Sequence, residues 1–400
     1  MRIAIFSDNF YPELSGISDS IIALSRELIK KGHYVDFYVP MYTKGDYEAA
    51  NVAFKEIDLG DHVQVIRFYS FPYKTGTGHG RFVIPTGLRT ATVFKFHPDV
   101  IHTQLFFGVG LEAIMAARML VRPVIGTNHT ALKEYLKYSF IQNESFKKGL
   151  LKYMNWYYER CELVTAPSQS VFDEMVTLGF KNVKSRVISN PLDTALFHPM
   201  DDKPALKKKF GFNDTTIIHA GRLAEERSPE VLVRALTYVK KEVPGAMLAF
   251  AGSGSSMVLL QELAKALHVA DSVKFMGYVS KTELNEAYNA SEVFAISSTS
   301  DTQSMVMMQA MASGIPIVGV NARALPEYVN AGNGFIVPPN DEKAMAEKLI
   351  YLLKNPGVAQ KLGAGARTYA EQFSEPKIAD QWEAIYASVI KSYNERYHRT

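Results

Sequence analysis

The stretch STSDTQSMVMMQAMASGIPIVG, residues 298–319, packs four structural signals into one short run. A polar segment ending in Ser300, Asp301 and Thr302 gives way to apolar residues at helical spacing, then to a Ser-Gly turn and the β-branched run IPIVG. Loop, helix, turn and strand in such quick order are the repeating unit of a parallel sheet wound with helices. The turn into the helix presents unpaired backbone N–H groups and the positive end of the helix dipole, a site for phosphate or another anion. Asp301 before the helix and Gln309 eight residues later would hold the rest of such a ligand.

The same alternation extends on both sides. Toward the N-terminus of this half lie TTIIHAG, GAMLAFAG, SVKFMGYV and EVFAISS, each followed by a helical stretch. The first half repeats the pattern: RIAIFS, a helix SIIALSRELIKKG ending at Gly32, then YVDFYVP, DVIHTQ, RPVIGT, CELVTAPS and SRVISN. Between the halves, NPLDTALFHPMDDKPALKKKFGF reads as an interdomain connection rich in Pro, Asp and Lys. The fold class is α/β, with two doubly wound Rossmann-like domains over 1–195 and 196–375 and a C-terminal helix over 376–400 that packs back on the first domain. A chain of 400 residues fits that division, since single cores stop growing near 250–300 residues. Ligands of open parallel sheets sit outside the carboxyl ends of the strands, so two such domains facing each other enclose a crevice.

Composition narrows the class. A net charge of +3 is small for this length, and no nucleic-acid module appears, so nucleic acid is not an expected partner. One cysteine, Cys161, allows neither an intrachain disulfide nor a cysteine metal cluster, and a structural thiol is expected. No run reaches the roughly 18 apolar residues of a membrane span, and MRIAIFSDNFYPE turns polar too early for a signal peptide. A cytoplasmic location is expected.

Candidate ligand residues fall at strand ends. In HAGRLAEERSPEVLVRAL, residues 219–236, Arg222 follows a strand and Arg227 precedes a helix, two cations where a diphosphate would need them. FAGSGSS places Gly252 and Gly254 at the next turn, where missing side chains would let a ligand approach the backbone. In the first half, Gly16 lies in the loop after the first strand and His129 in GTNHT follows another. A lone histidine is more often structural, and a G-x-G turn is common in α/β folds. Their joint placement is what points to a ligand.

Together these residues resemble the retaining glycosyltransferases of family 4, which have the GT-B fold. The likeness runs along nearly the whole chain, through DNFYPELSGIS, TNHT, VTAPSQSVFDEM, VISNPLDTALFHP, HAGRLAEERSPEVLVRAL, KFMGYV and NGFIVPPND as well as the opening stretch. TQSMVMMQAMASG looks like the form found in bacterial glucosyltransferases acting on diacylglycerol. The resemblance implies a nucleotide-sugar donor as substrate, no further cofactor, and protein cations in place of a metal ion. It implies a diphosphate held by Arg222, Arg227 and the amides near Ser304, Met305 and Val306, with Asp301 beside the sugar. It places Gln309 near the ribose, the backbone of Tyr278 and Val279 by the base, Gly16 by the phosphate and His129 by the donor sugar.

Two positions depart from the family pattern, in which glutamates eight residues apart flank the phosphate turn. Here they are Asp301 and Gln309, and the usual lysine is Arg227. Asp301 and Arg227 keep their charges. Gln309 shares a helical face with Met305 and Val306 but carries no charge, which is compatible with transfer and with a sugar-nucleotide binding protein that does not catalyse.

Residues 131–160 interleave Lys133, Lys137, Lys147, Lys148 and Lys152 with Tyr135, Phe140, Phe146, Trp156 and Tyr157. Such a segment suits an anionic membrane surface, as well as a core helix with a solvated side. Residues 68–87 read as a basic and aromatic loop able to admit an acceptor. The expected activity is hexose transfer with retention to a lipid hydroxyl such as that of diacylglycerol, by a peripheral enzyme on the cytoplasmic membrane face. A soluble acceptor is the alternative.

Overall fold

A parallel strand covered by helices on both faces must be largely apolar, and runs such as IAIF, VIGT, TIIHA and VFAI meet that demand. The computed structural model describes residues 1–13, 15–50, 52–75, 78–130, 143–181 and 184–397. They form two compact units, 1–191 with 375–400, and 192–374.

In the first unit the chain lays down β1 (Arg2–Phe6), β2 (Tyr34–Pro40) and β3 (Val63–Phe68), then a hairpin of β4 (Phe71–Thr75) and β5 (Gly78–Phe82). It continues with β6 (Val100–Thr103), β7 (Val124–Thr127), β8 (Leu163–Ala166) and β9 (Ser185–Val187). The parallel sheet runs β3-β2-β1-β6-β7-β8-β9. The second unit has β10 (Thr216–Ala220), β11 (Met247–Ala251), β12 (Val273–Gly277), β13 (Val293–Ile296), β14 (Ile317–Val320) and β15 (Gly334–Val337), in the order β12-β11-β10-β13-β14-β15. In each sheet the winding reverses beside its first strand, at β1/β6 and at β10/β13. Ligands of doubly wound sheets bind at such reversals.

Local chemistry sets the helix ends. Ser15 caps the helix Gly16–Lys30 by accepting from the Ser18 amide, and Gly32 stops it at a φ of +82°. Ser280 and Glu283 form a reciprocal capping box on Lys281–Asn289.

Two expectations are corrected, and two strands are added. The segment 190–212 is mostly second-unit core, because Leu192, Phe197, Leu206 and Phe212 are buried there and Asp202 caps a helix Lys203–Phe210. Residues 68–87 contain the β4–β5 hairpin, with Arg81 tied to Asp46 and to the Thr43 hydroxyl at 3.0 Å. Edge strands β3 and β15 had no clear signal, since neither is uniformly buried.

The last helix, Glu375–Tyr397, belongs to the first unit and packs on Gly16–Lys30, with Ile378, Ala379, Trp382, Ile385 and Tyr386 buried. Lys31 meets Asp380 at 2.5 Å and Glu383 at 2.9 Å, and Arg396 meets Glu162 at 2.9 Å. Cys161 is buried, and burial pushes its thiol up, so it stays protonated.

In the second unit one side chain joins three segments. Arg367 Nη1 donates to the carbonyls of Phe197 at 2.7 Å, Ala312 at 2.9 Å and Thr194 at 3.3 Å. The Ala312 carbonyl closes the helix Met305–Ala312, so Arg367 supplies its C-terminal cation. Arg367→Ala is expected to cost about 2–3 kcal/mol, the scale of losing charge-assisted bonds and leaving carbonyls unsatisfied. Chemical denaturation of the variant measures it, and an unchanged midpoint would mean the joint is not structural.

Candidate active site

The loop after β10 turns at Gly221, whose φ is +122°. Arg222 then pairs with Glu226 at 2.6 Å, and a short 3-10 turn, Glu225–Arg227, brings Arg227 Nη1 to 3.3 Å from Asp301 Oδ1. Asp301 is buried and lies in the loop after β13. The two loops are also pinned by Ser297 Oγ, which donates to the Ser228 carbonyl at 2.8 Å. Two arginines, each paired with a carboxylate, thus lie in the loops at the β10/β13 reversal.

The helix Met305–Ala312 begins there. Its N-cap, Ser304, has extended backbone, yet its side chain makes no capping hydrogen bond and its buried Oγ has no partner. Met307, Met308, Ala310, Met311 and Ala312 are buried, which leaves Met305, Val306 and Gln309 on the less buried face. That is the face on which the spacing places Gln309. Its Oε1 is buried without a hydrogen-bond partner.

Two more such atoms, His219 Nε2 and Arg227 Nε, lie on the β10 side. His219 Nδ1 is 2.9 Å from the Ala295 carbonyl, so the N–H sits on Nδ1 and Nε2 carries a lone pair. Burial, first among the causes, pushes His219 down to about 4, so the ring is neutral at ordinary pH. An unpaired buried polar atom costs about 1–3 kcal/mol, and such atoms in a native structure ask for an explanation. Four of them bordering one strand reversal fit a polar ligand rather than a packed interior. His219, inside a strand, is a residue that the motif reading passed over.

Gly252 and Gly254 have a packing reason that spacing alone does not show. A Cβ on Gly252 would lie 1.9 Å from the Gly221 carbonyl oxygen, and one on Gly254 would lie 2.2 Å from that of Leu223. The two loops are zipped by backbone bonds from Gly221 to Ala251 and from Leu223 to Ser253, both 2.9 Å. The missing side chains admit the neighbouring loop, and so hold Arg222 in place. Beyond β12, Tyr278 is exposed and Val279 packs on the core.

In the first unit Gly16 opens its helix, and a Cβ there would meet nothing within 4 Å. No protein contact demands glycine at that helix N-terminus. His129 Nε2 is 2.8 Å from Gln104 Oε1, and burial pushes the ring down to about 4. Asp8, after β1, accepts from the Val109 amide at 2.8 Å and anchors the helix Gly108–Leu120. Burial pushes Asp8 up to about 6 and Glu13 up to about 7, the latter held by Asn9 at 2.9 Å and the Tyr42 hydroxyl at 3.1 Å. Among the described residues, no group of three or more His, Cys, Asp or Glu is placed to hold a metal ion.

Of the basic and aromatic segment, Lys133, Tyr135, Lys137 and Phe140 lie outside the described residues. The helix Glu144–Tyr158 exposes Lys148, Lys152 and Trp156 at a spacing of four, with the Arg160 guanidinium 3.8 Å from the Trp156 ring centre. Tyr157 falls on the core side of this helix: it is fully buried and donates to Thr103 Oγ1 at 2.8 Å. Lys147 pairs with Glu144 at 3.1 Å. Among the described residues, no helix is long and apolar enough to cross a membrane.

Residues 14–196 match Glycosyltransferase Family 4, and residues 202–369 match Glycosyl transferases group 1. The alpha-monoglucosyldiacylglycerol synthase of Streptococcus pneumoniae is 31% identical over 326 residues, 80% of this chain and 70% of that protein. Its counterpart in Acholeplasma laidlawii is 26% identical over 414 residues, 100% of each. Among solved structures, Anabaena HepE in complex with UDP-glucose aligns with a TM-score of 0.75 at 20% identity over 97% of this chain and 100% of that one. Sucrose-phosphate synthase from Thermosynechococcus elongatus aligns with a TM-score of 0.73 at 18% identity over 98% and 99%. The chain belongs to the family 4 glycosyltransferases and has the GT-B fold.

Proposed function

We propose that this glycosyltransferase moves glucose from a uridine diphosphate donor to a hydroxyl of diacylglycerol, with retention and without a metal ion. The observation that carries the lipid acceptor is that two relatives, one matching the chain end to end, are both alpha-monoglucosyldiacylglycerol synthases. The donor reading is supported by the partnerless polar atoms at the β10/β13 reversal and by the UDP-glucose held by HepE.

On this reading Arg222, Arg227 and the amides of Ser304, Met305 and Val306 take the diphosphate, and their charge replaces that of a metal. Ser304 Oγ and Gln309 Oε1 accept from donor hydroxyls, Gln309 from the ribose. Asp301 and His129 serve the sugar, Gly16 the phosphate, and the backbone at Tyr278 and Val279 the base. The bond from the anomeric carbon to the leaving phosphate breaks as the acceptor oxygen bonds to the same face. The acceptor's proton passes to the leaving phosphate oxygen. Lys148, Lys152 and Trp156 form the peripheral contact with an anionic membrane, one on the cytoplasmic face.

Incubating the full chain with UDP-glucose and vesicles of diacylglycerol and anionic phospholipid tests the activity. Mass spectrometry should find monoglucosyl diacylglycerol, and NMR of the product should find the α anomer. Intact donor with no glycolipid would favour the second reading, a donor-binding protein without catalysis, which Gln309 motivates.

Three variants divide the site. Arg227→Ala should cut turnover at saturating donor by about 10²-fold or more, the scale for losing one charge-stabilising donor. Near-normal turnover would remove Arg227 from that role. Gln309→Glu should tighten UDP-glucose binding or raise turnover roughly three- to thirty-fold, because charged hydrogen bonds exceed neutral ones by about 1–2 kcal/mol. Titration calorimetry showing no gain, with turnover no faster, would mean that glutamine suits this site. Lys148→Gln with Lys152→Gln should weaken binding to anionic vesicles by about 1 kcal/mol per charge, less at high salt. Flotation unchanged by the pair would leave these lysines as solvated surface.

A further inference from the structure

Between Asp61 and Asp99 the sequence has no acidic residue, and five of the residues there are Lys or Arg. This stretch holds the β4–β5 hairpin, whose first strand leaves the carboxyl end of β3. Residues directly opposite in an antiparallel pair share a face, and neighbours along a strand alternate between faces. The register sets Phe71 opposite Phe82, Pro72 opposite Arg81 and Tyr73 opposite Gly80. Arg81 is buried and bonded to Asp46 and to the Thr43 hydroxyl, so its face is the inner one. Phe71, Tyr73 and Phe82 therefore share the outer face, and each is between 42 and 46% exposed.

The turn that follows is held as firmly, with apolar side chains outward. Glu112, buried in the helix Gly108–Leu120, accepts from the amides of Thr86 at 2.6 Å and Gly87 at 3.3 Å and from Arg89 Nη1 at 3.0 Å. Leu88 sits between these anchors and is 83% exposed, and Ile84 is exposed just before them. A two-stranded hairpin is marginal in water on its own, and water favours hiding its apolar side chains. Here two largely buried ion pairs, Arg81 with Asp46 and Arg89 with Glu112, pin the backbone with those side chains outside. Apolar surface displayed on a pinned frame calls for an apolar partner.

We propose that this hairpin and turn anchor the first unit in an anionic bilayer, with Phe71, Tyr73, Phe82, Ile84 and Leu88 entering the boundary between headgroups and acyl chains. The proposal rests on the reading that the enzyme works at a membrane. Charge favours a bilayer as the partner, because the stretch brings cations and no carboxylate of its own to repel lipid phosphates. The surface also adjoins the helix Glu144–Tyr158, with its exposed Lys148, Lys152 and Trp156. Val83, next after Phe82, closes on Gly108, where a Cβ would lie 1.8 Å from the Val83 carbonyl oxygen. Two residues before Gly108, the Phe106 carbonyl accepts from the Tyr153 hydroxyl, and the Tyr153 ring stacks on Trp156 with centres 5.9 Å apart. The lysines supply an attraction that salt screens, whereas apolar insertion survives salt.

The test places an environment-sensitive fluorophore on the full chain at Leu88→Cys, the native Cys161 being buried, and adds vesicles of phosphatidylcholine and phosphatidylglycerol carrying nitroxide lipids. Emission should shift to the blue and be quenched most by nitroxides near the headgroup end of the acyl chain. The same label at Tyr34→Cys, exposed at the amino end of β2, should not respond. Combining Phe71→Ser, Phe82→Ser and Leu88→Ser should lower vesicle partitioning about 30-fold or more, the scale for losing three inserted apolar side chains, at low and high salt alike. The unfolding midpoint and UDP binding of that variant should match wild type. An unmoved signal at 88, equal signals at 88 and 34, or unchanged partitioning of the triple variant overturns the proposal. So does a wild-type dimer in sedimentation that the triple variant breaks while vesicle binding persists, since a second copy would then cover this face. Insertion at 88 without any glycolipid product would instead sink the acceptor reading and leave the anchor standing.

Discussion

Arg227 and Asp301 face each other at 3.3 Å across the one place in the second sheet where the strand order reverses. A largely buried ion pair adds little net stability, because desolvation offsets most of the attraction. What it adds is position. The cation is held at a strand end beside a helix N-terminus that no side chain caps, with Asp301 as its partner. The backbone zipper at Gly221, Leu223, Gly252 and Gly254, and the Ser297 bond to Ser228, serve the same placement.

Much of this was legible in the residues. Buried parallel strands must be largely apolar on both faces, so most of the central strands announced themselves, and polar residues just past them marked where they end. The face shared by Met305, Val306 and Gln309 followed from helical spacing alone. Other features depend on contacts that spacing cannot carry. Whether 190–212 is linker or core turns on where Leu192 and Phe197 pack. Glycines at 252 and 254 suit a ligand or a neighbouring backbone equally well, and only the 1.9 and 2.2 Å approaches show that a backbone is there. Tyr157 reads as one more aromatic in a basic helix until its hydroxyl is found bonded to Thr103.

The C-terminal helix shows the same limit most clearly. Tyr386 and His102 are 284 residues apart in sequence, and no local pattern links them. Yet the helix is fastened at Lys31, His33 and Glu162 as well as over His102, so its buried face is one wall of the first unit.

Hydrogen exchange of the full chain with and without uridine diphosphate tests most directly whether the β10/β13 reversal is the donor site. Slowed exchange should concentrate at the amides of 304–307, where the uncapped helix begins, and in the loop 221–228 that carries Arg222 and Arg227. Protection confined to other segments, or binding that leaves both stretches unchanged, would contradict the assignment of the partnerless polar atoms to the donor.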